Sequence, residues 1–314
     1  MERERLGSGA APHGGRPAVA VGNFDGVHRG HQALAAAVLA LARASGGPAV
    51  VLTFDPHPAR VLRPSQAPAP LTTLAQKAEL VEALGIDRLV VVPFDAQLAA
   101  LSPEAFAEQV LHQSLAARHV VVGDSFRFGR GRAGDARGLE TLGRGLGFGV
   151  EVVPALLAAG RPISSSRVRE ALALGDVAEA RELLGRLHFV DGTVVRGDGR
   201  GRTIGVPTAN LAPDEQVLPA LGVYAARCRV ANGAWHRAVV NVGERPTFGG
   251  GPVTLEAHLL DFEADLYGTR VRLELAARLR GEQRFASQQA LVAQIRADIE
   301  AARAELPPPP GGAV

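Results

Sequence analysis

The order of hydrophobic and polar residues along the chain changes once, near Gly185. From Ala18 to this point, short apolar runs of strand length alternate with longer segments of helical periodicity. The alternation predicts a parallel sheet with helices on both faces, as in α/β folds. The predicted strands are Ala18–Val21, Ala49–Thr53, Leu89–Pro93, His119–Gly123 and Gly149–Val153, and the predicted helices are Gln32–Ala44, Leu74–Leu84 and Pro103–Leu115.

After about Arg186 the pattern predicts strands almost throughout, separated by turns rich in Gly, Pro and Asn. This spacing is typical of a β-barrel or a β-sandwich, and the pattern leaves both open. Two short helices, broken at Gly175, are predicted over Arg167–Leu184, and a last helix over Ser287–Ala304. The predicted strands are His188–Arg196, Gly222–Val230, Trp235–Val242, Thr254–Asp261 and Arg270–Leu279.

The length of 314 residues fits two domains, which we place at residues 17–185 and 186–305. The two ends of the chain, before about Arg16 and from Leu306 onward, are rich in small residues and proline. We expect both ends to be mobile.

Residue counts exclude several classes of protein. Cys228 is the only cysteine, which excludes a disulfide framework and a thiolate zinc site. Lys77 is the only lysine and follows no glycine loop, which excludes a Walker A motif and argues against a protein-kinase fold. The longest unbroken apolar stretch, Ala33–Ala42, is too short to span a bilayer, and the chain begins without an apolar signal segment. We therefore expect a cytoplasmic protein without a membrane partner.

Charge and aromatic content argue against nucleic acid as a partner. The 34 basic and 32 acidic residues give a net charge of +2, and aromatic residues make up only 4% of the chain. Arginines alternate with acidic residues instead of forming a basic stripe. We expect small molecules as partners, and the sequence indicates neither an oligomeric state nor a regulatory site.

A glycine-rich segment, Gly22-Asn-Phe-Asp-Gly-Val-His-Arg-Gly-His31, follows the first predicted strand and leads into a helix. A loop in this position lies at the carboxyl edge of a parallel sheet, where ligands bind. His28 and His31 are three residues apart, so both can lie on one face near a helix N-terminus, and the glycines allow close backbone approach to an anion. The pair could hold a phosphate while charge builds on it. The alternative is that both histidines only cap the helix.

Further polar segments occur at the same predicted edge of the sheet. Ile163-Ser-Ser-Ser-Arg-Val-Arg169 opens a helix with three hydroxyls and two arginines, which suits a triphosphate, although serines there are also ordinary caps. Gly123–Gly129 and Thr53–Pro58 each follow another strand. Their coincidence at one edge favours a ligand site over a set of independent caps.

The second half contains a candidate phosphate and metal site. Gly192–Leu211 is rich in glycine, and Thr208 and Asn210 face the same side if this stretch is extended. Their oxygens suit Mg²⁺, which keeps substrate phosphates as further ligands. Glu256 and His258 share one face of a predicted strand, where a carboxylate could accept a proton from an attacking hydroxyl. Taken alone, the Pro207-Thr-Ala-Asn210 segment fits a turn better, and Glu256 fits a solvated strand residue better.

In order along the chain, these strings resemble bacterial bifunctional riboflavin kinase/FAD synthetases over roughly residues 17–305. The first half carries the Gly-x-Phe-Asp-Gly-Val-His-x-Gly-His string, Pro-His-Pro and Ile-Ser-Ser-Ser-x-x-Arg, and its HxGH motif is shared with the wider nucleotidylyltransferase superfamily. The second half resembles the riboflavin kinase module. The resemblance implies a Rossmann-like nucleotidyltransferase domain followed by a small β-barrel with a C-terminal helix. The kinase strings are Gly201-Arg-Thr-Ile-Gly-Val-Pro-Thr-Ala-Asn-Leu211, Gly222-Val-Tyr224, Asn241-Val-Gly-Glu-Arg-Pro-Thr-Phe248, Leu255-Glu-Ala-His-Leu-Leu-Asp-Phe262 and Leu279-Arg-Gly-Glu-Gln-Arg-Phe285.

The resemblance also implies roles for single residues. His28 and His31 would act at the α-phosphate of ATP, Glu256 would activate the ribityl 5′-hydroxyl, and Thr208 and Asn210 would bind Mg²⁺ with ATP. Ser125 stands where the family usually has Asp or Asn. Residues expected to bind ATP phosphates are Gly22, Phe24, Gly30, Ser164, Ser165, Arg169, Gly197, Gly201 and Arg202, and those expected near the flavin are Asp124, Ser125, Phe126 and Phe128.

The implied function is two successive reactions that need Mg²⁺ and ATP. The barrel would phosphorylate riboflavin to FMN, and the first domain would adenylylate FMN to FAD with release of pyrophosphate. One alternative is a single-activity nucleotidyltransferase with a non-catalytic flavin-binding barrel, and another is a non-catalytic flavin- or nucleotide-binding regulator. Both alternatives predict loss of some of the key side chains, and all five are present: His28, His31, Thr208, Asn210 and Glu256.

Overall fold

The computed structural model describes residues 1–6, 15–197, 205–231, 233–244 and 253–307. The chain divides into two compact units, Met1–Ser165 and Ser166–Val314. The bounds 17–185 and 186–305 of the two catalytic domains stay a prediction.

The first unit contains a six-stranded parallel sheet, which confirms the α/β prediction for this half. Its strands follow each other across the sheet in the order β1-β4-β3-β2-β5-β8. The central strands are rich in valine and almost fully buried, because helices cover both faces. The strands are β1 Glu2–Arg5, β2 Ala18–Val21, β3 Ala49–Asp55, β4 Arg88–Pro93, β5 His119–Gly123 and β8 Gly149–Val153, and the short pairs are β6 Arg127–Phe128 with β7 Gly134–Asp135 and β9 Leu157–Ala158 with β10 Arg161–Pro162.

The helices of the first unit begin at side chains that accept a backbone hydrogen bond. Thr73 and Gln76 form a reciprocal capping box at the start of one of them. The helix predicted over Pro103–Leu115 continues beyond its first turn as a π-helix, Ala107–Ser114. The α-helices are α1 Arg29–Ser45, α2 Pro58–Leu62, α3 Leu74–Ala83, α4 Ala96–Ala100, α5 Pro103–Phe106 and α6 Ala136–Leu146.

The start of the chain forms a strand, contrary to our expectation from its sequence. We expected the residues before Arg16 to be mobile, but β1 pairs in parallel with β4 and forms an edge of the sheet. The amino group of Met1 also lies 2.9 Å from Glu82. Four charged residues have no apolar pattern that predicts a strand, yet an edge strand needs only one hydrogen-bonded neighbour. Residues 7–14 and 308–314 lie outside the described part of the chain.

The second unit contains a closed antiparallel barrel of six strands. The prediction of a barrel is therefore confirmed, and the alternative of a sandwich is excluded. The strands follow each other around the barrel in the order β11-β12-β15-β14-β13-β16. Two helices precede the barrel and one follows it. The strands are β11 His188–Val195, β12 Ala209–Pro213, β13 Gly222–Val230, β14 Trp235–Glu244, β15 Val253–Leu259 and β16 Arg270–Arg280, and the helices are α7 Ser165–Leu174, α8 Val177–Leu184 and α9 Gln288–Glu305.

The C-terminal helix α9 packs against the outside of the barrel. Ala302 and Leu306 form a small core with Val223 and Val239 of the barrel wall. Ser287 caps the helix by accepting a hydrogen bond from Ala290 N at 3.1 Å. Across the described ranges, no helix combines the length and the apolar character needed to cross a membrane.

Candidate active sites

The glycine-rich loop between β2 and α1 has an unusual backbone conformation. Phe24 and Val27 have positive φ angles of 47° and 41°, although neither is a glycine. The Asp25 carboxylate holds this conformation: it is 3% exposed and accepts hydrogen bonds from Leu71 N and Thr72 N at 2.9 and 3.3 Å. The loop is therefore fixed by buried contacts made within the first unit.

His28 and His31 lie together at the start of α1. Their rings stack with centroids 3.7 Å apart, and the ring of Phe24 stacks on His31 at 4.9 Å. His28 Nδ1 accepts a hydrogen bond from His31 N at 3.4 Å, so His28 also caps the helix. A β-carbon at Gly30 would lie 3.1 Å from the His28 ring, which explains why glycine suits this position. Phe24 also lies against Gly22, within the same loop.

The environment of His31 disfavours a positive charge. Burial lowers its pKa well below the ordinary value, and the charges of His28 and Lys77 lower it further. His31 Nδ1 is buried and has no hydrogen-bond partner among the described residues. The site thus favours a neutral imidazole at His31, whose Nδ1 no described residue engages, at the carboxyl edge of the sheet.

The serine-rich segment contacts the glycine-rich loop through Ser165. Ser165 Oγ donates a hydrogen bond to the Asp25 carbonyl at 2.9 Å, and Ser164 precedes it half-buried. Arg169 lies half-buried on α7. The neighbouring Arg167 forms an ion pair with Glu179 at 2.7 Å, so its charge is used within the second unit. The convergence of the hydroxyls and the two arginines of this segment on a triphosphate stays a prediction.

An aromatic cavity of about 680 Å³ lies at the same edge of the sheet. Ser125, Phe126 and Phe128 line it, as expected for the flavin-binding loop. Asp124 does not line it and instead accepts a hydrogen bond from Ala155 N at 3.1 Å. We did not predict several further lining residues from the sequence, among them Phe94, Phe106 and Arg132.

The position of Phe94 offered a signal that we did not use. It follows β4 directly and therefore lies at the same edge as the other ligand segments. Phe54 and Phe94 meet edge-to-face with centroids 5.8 Å apart, and Phe126 stacks on Phe128 at 5.4 Å. Flat apolar walls of this kind suit a planar ring system.

We considered Lys77, the only lysine, only as evidence against a Walker A motif and a protein-kinase fold. In the structure it is buried next to the glycine-rich loop. Its Nζ donates a hydrogen bond to Thr53 Oγ1 at 3.2 Å. Burial lowers the Lys77 pKa, and Asp25 and Asp55 oppose this effect. Nothing in the local sequence Leu74-Ala-Gln-Lys-Ala-Glu79 distinguishes it from an exposed helix residue.

In the barrel, Glu256 lies at the centre of a row of polar side chains. It is directly opposite Asn210 on β12 and Asn241 on β14. Opposite residues of antiparallel strands place their side chains on the same face. The flanking Leu255 and Ala257 are each 1% exposed and face the barrel core, which puts Glu256 on the outer face. We did not predict β12 from the sequence, although it supplies one side of this row.

A cavity of about 590 Å³ lies between this outer face and α9. Thr208, Glu256 and His258 line it, whereas Asn210 is not among its lining residues. His258 Nδ1 is 2.7 Å from the Pro207 carbonyl, which ties β15 to the Pro-Thr-Ala-Asn turn. Further lining comes from the segment after β16 and from α9, including Arg280, Phe285, Leu291 and Asp298.

The oxygen donors of this row fit a hard cation that is bound mainly through a substrate. A β-carbon at Gly197 would collide with the Asn210 amide, so glycine there forms a cradle for this side chain. Among the described residues, no cluster of three His, Cys, Asp or Glu side chains could hold a metal ion alone. The neutral side-chain oxygens of Thr208 and Asn210, together with the Glu256 carboxylate, match the few protein ligands that Mg²⁺ takes alongside phosphates. Gly201 and Arg202, which we expected to bind phosphate, lie outside the described residues.

Fold and site together define the class of protein. The first unit has the parallel sheet, histidine pair and helix N-terminus of a nucleotidyltransferase-type phosphate site, and the second is an antiparallel barrel with oxygen donors beside an apolar cavity. Family models agree with this division: one described as FAD synthetase matches residues 12–167, and one described as riboflavin kinase matches residues 184–306.

Known proteins are similar over nearly the whole chain. Bifunctional riboflavin kinase/FMN adenylyltransferases from Escherichia coli K12 and Bacillus subtilis are 42% and 37% identical, each over 90% of this chain and 90% of the relative. A crystal structure named as a macrolide-efflux protein from Streptococcus pneumoniae has a TM-score of 0.87 at 31% identity, covering 96% of this chain and 99% of that one. The chain belongs to the bifunctional riboflavin kinase/FMN adenylyltransferase family.

Proposed function

We propose that the two units catalyse successive steps of flavin cofactor synthesis. The barrel unit transfers the γ-phosphoryl group of ATP to riboflavin and forms FMN and ADP. The first unit transfers the adenylyl group of a second ATP to FMN and forms FAD and pyrophosphate. The observation that carries this proposal is the presence of two separate cavities, each beside its own set of phosphate-handling side chains.

In the kinase step, Glu256 acts as the general base. Its carboxylate accepts the proton of the ribityl 5′-hydroxyl while that oxygen attacks the γ-phosphorus, and ADP leaves. The flanking Asn210 and Asn241 set the position of Glu256 through the strand register. General-base assistance contributes about 10²–10⁴-fold to such a reaction, and positioning contributes the remainder.

Thr208 and Asn210 would hold Mg²⁺ in the same site. Their oxygens are neutral, so the affinity for the ion depends on ATP phosphates that bind with it. When bound, Mg²⁺ neutralises charge on the β- and γ-phosphates. The protein's own contribution is the Asn210 cradle at Gly197 and the carboxylate beside it.

In the adenylyl transfer step, a phosphate oxygen of FMN attacks the α-phosphorus of ATP directly. His28 and His31 donate hydrogen bonds to the α-phosphate oxygens as charge builds on them. The backbone N–H groups at the start of α1 favour the same anion. The isoalloxazine ring of FMN lies in the aromatic cavity beside Phe126 and Phe128, with Ser125 at its edge.

The proposal extends to partners and location. Riboflavin, FMN and ATP are the substrates, and we expect neither nucleic acid nor a membrane as a partner. A cytoplasmic location, expected from the sequence, stays a prediction.

Chromatography tests the proposed function. The purified chain is incubated with riboflavin, ATP and Mg²⁺, and flavins are separated at successive times. We expect FMN to appear first and FAD later, with no conversion after chelation by EDTA and recovery on adding Mg²⁺. Accumulation of FMN without FAD would contradict the role of the first unit. FAD formed only from supplied FMN would contradict the role of the barrel and favour a non-catalytic flavin-binding module.

A further inference from the structure

Lys77 connects a helix, a strand and the glycine-rich loop of the first unit. It lies on α3 and is only 7% exposed. Its Nζ donates to Thr53 Oγ1 at 3.2 Å, and the Thr53 hydroxyl donates to the Asn23 carbonyl at 2.9 Å. Thr53 is fully buried near the carboxyl end of β3, and Asn23 is the second residue of the loop. One hydrogen-bonded chain thus runs from the only lysine to the loop that positions His28.

Burial of an ammonium group is costly, and an apolar side chain of similar length would pack more favourably. Asp25 and Asp55 partly offset the cost by raising the Lys77 pKa against the effect of burial. Asp25 also holds the loop through Leu71 N. Two carboxylates thus oppose the loss of the Lys77 charge inside the first unit, and this charge acts on His31.

We propose that Lys77 is a positioning residue for adenylyl transfer, which holds the glycine-rich loop through Thr53 and keeps a positive charge near His31. The inference rests on the proposed adenylyltransferase function of this unit. It assigns a role to a side chain that no motif in the sequence indicates.

The positive charge favours a neutral imidazole at His31. The charged or titratable groups that act on His31 are His28, stacked on it, and Lys77 on α3, while Asp25 and Asp55 act on Lys77. Both His28 and Lys77 lower the His31 pKa. A neutral imidazole keeps one N–H for donation to a phosphate oxygen and avoids repulsion between two stacked cations.

Three variants separate the charge from the hydrogen-bonded link. Lys77→Met removes both, Lys77→Arg keeps the charge, and Thr53→Val removes the link but keeps the lysine. The rate of FAD formation from FMN, ATP and Mg²⁺ is measured from pH 5.5 to 8.5. Formation of FMN from riboflavin by the same samples serves as the internal control, because Lys77 has no place in the barrel site.

We expect Lys77→Met to lower kcat for FAD formation and to move the acid limb of the pH profile upward by roughly half to one pH unit. Lys77→Arg should restore the acid limb, and Thr53→Val should lower kcat without moving it. NMR titration of the His31 ring in Lys77→Met should show the same upward shift without depending on turnover.

An unshifted acid limb and an unshifted His31 titration in Lys77→Met would overturn the inference while the wild-type protein still forms FAD. A wild-type protein that forms no FAD would instead overturn the proposed function itself. If Lys77→Met lowers the rate equally at every pH and Lys77→Arg does not rescue it, Lys77 only stabilises the fold.

Discussion

The guanidinium of Arg280 binds the Asp298 carboxylate through both Nε and Nη2. The shortest of these contacts, from Nη2 to Oδ2, is 2.9 Å. Arg280 ends β16 and Asp298 lies on α9, so the pair ties the C-terminal helix to the barrel beside the candidate kinase cavity. Only 6% of the Asp298 side chain is exposed. This bidentate pair lines the cavity, and the family motifs contain Arg280 but not its partner Asp298.

Asp298→Ala should lower the free energy of unfolding of the barrel unit by about 3 kcal/mol, because it leaves a mostly buried guanidinium without its carboxylate. It should also raise KM for riboflavin, since both partners line the cavity. Urea unfolding followed by Trp235 fluorescence measures the stability, because Trp235 is the only tryptophan and lies on β14.

Arg303→Ala is the matched control on the same helix. Arg303 pairs with Asp261 at 2.7 Å, but 60% of the Asp261 side chain is exposed. We expect a loss below about 1 kcal/mol. Equal losses of unfolding free energy in Asp298→Ala and Arg303→Ala would show that the buried ion pair stabilises the barrel no more than the exposed one.

Gly197→Ala should impair the kinase reaction alone. An added β-carbon would collide with the Asn210 amide, and the displaced side chain should lower kcat for FMN formation by about 10–100-fold and raise the Mg²⁺ concentration needed for half-maximal rate. FAD formation from supplied FMN should stay as in the wild type. Gly145→Ala on α6 meets open space and should alter neither reaction. A normal Mg²⁺ dependence in Gly197→Ala would show that Gly197 does not position the Asn210 side chain for Mg²⁺ binding.

His188 makes the barrel sensitive to acid. Burial lowers its pKa from about 6.5 to about 4, although the hydrogen bond to the Val217 carbonyl raises the pKa in part. The unfolded chain therefore binds a proton that the folded barrel does not bind between these pH values. His188 therefore does not lower the free energy of unfolding above about pH 6.5. Below this pH the free energy of unfolding falls, and the loss levels off near pH 4 at about 3 kcal/mol.

His188→Gln keeps a hydrogen-bond donor and removes the titrating group. Urea unfolding of both proteins at pH 7.5, 5.5 and 4.5, read from Trp235 fluorescence, should show a smaller acid loss for the variant. Parallel losses in the two proteins would assign the acid sensitivity to other groups.

The sequence predicted those parts of the fold that have a strong apolar pattern. The predicted bounds of the central strands β2, β3 and β5 and of the helix α9 lie within two residues of the bounds in the structure. Strands without such a pattern were missed: β1 is made of charged residues, and β12 lies within a turn-rich segment. Each of these is recognised only through the strand it pairs with, which no local pattern contains.

The site residues also divide into those that a local sequence pattern indicates and those that it does not. Motif positions such as His28 and Glu256 lie where the predicted strands and loops put them. The residues that support them come from distant segments, as Lys77 does for the glycine-rich loop and Asp298 does for Arg280. Their roles depend on burial and on long-range contacts, which the spacing of residues along the chain does not encode.

The central claim is that two independent sites carry the two reactions, and a pair of variants tests it most directly. Each variant is incubated with ATP and Mg²⁺, once with riboflavin and once with FMN, and the flavins are separated by chromatography. We expect Glu256→Ala to lose FMN formation by about 10²–10⁴-fold and still convert FMN to FAD. His28→Ala should form FMN and no FAD, at a stability cost of about 1 kcal/mol from the lost helix cap. Loss of both reactions in either variant, with the protein still folded, would contradict the account.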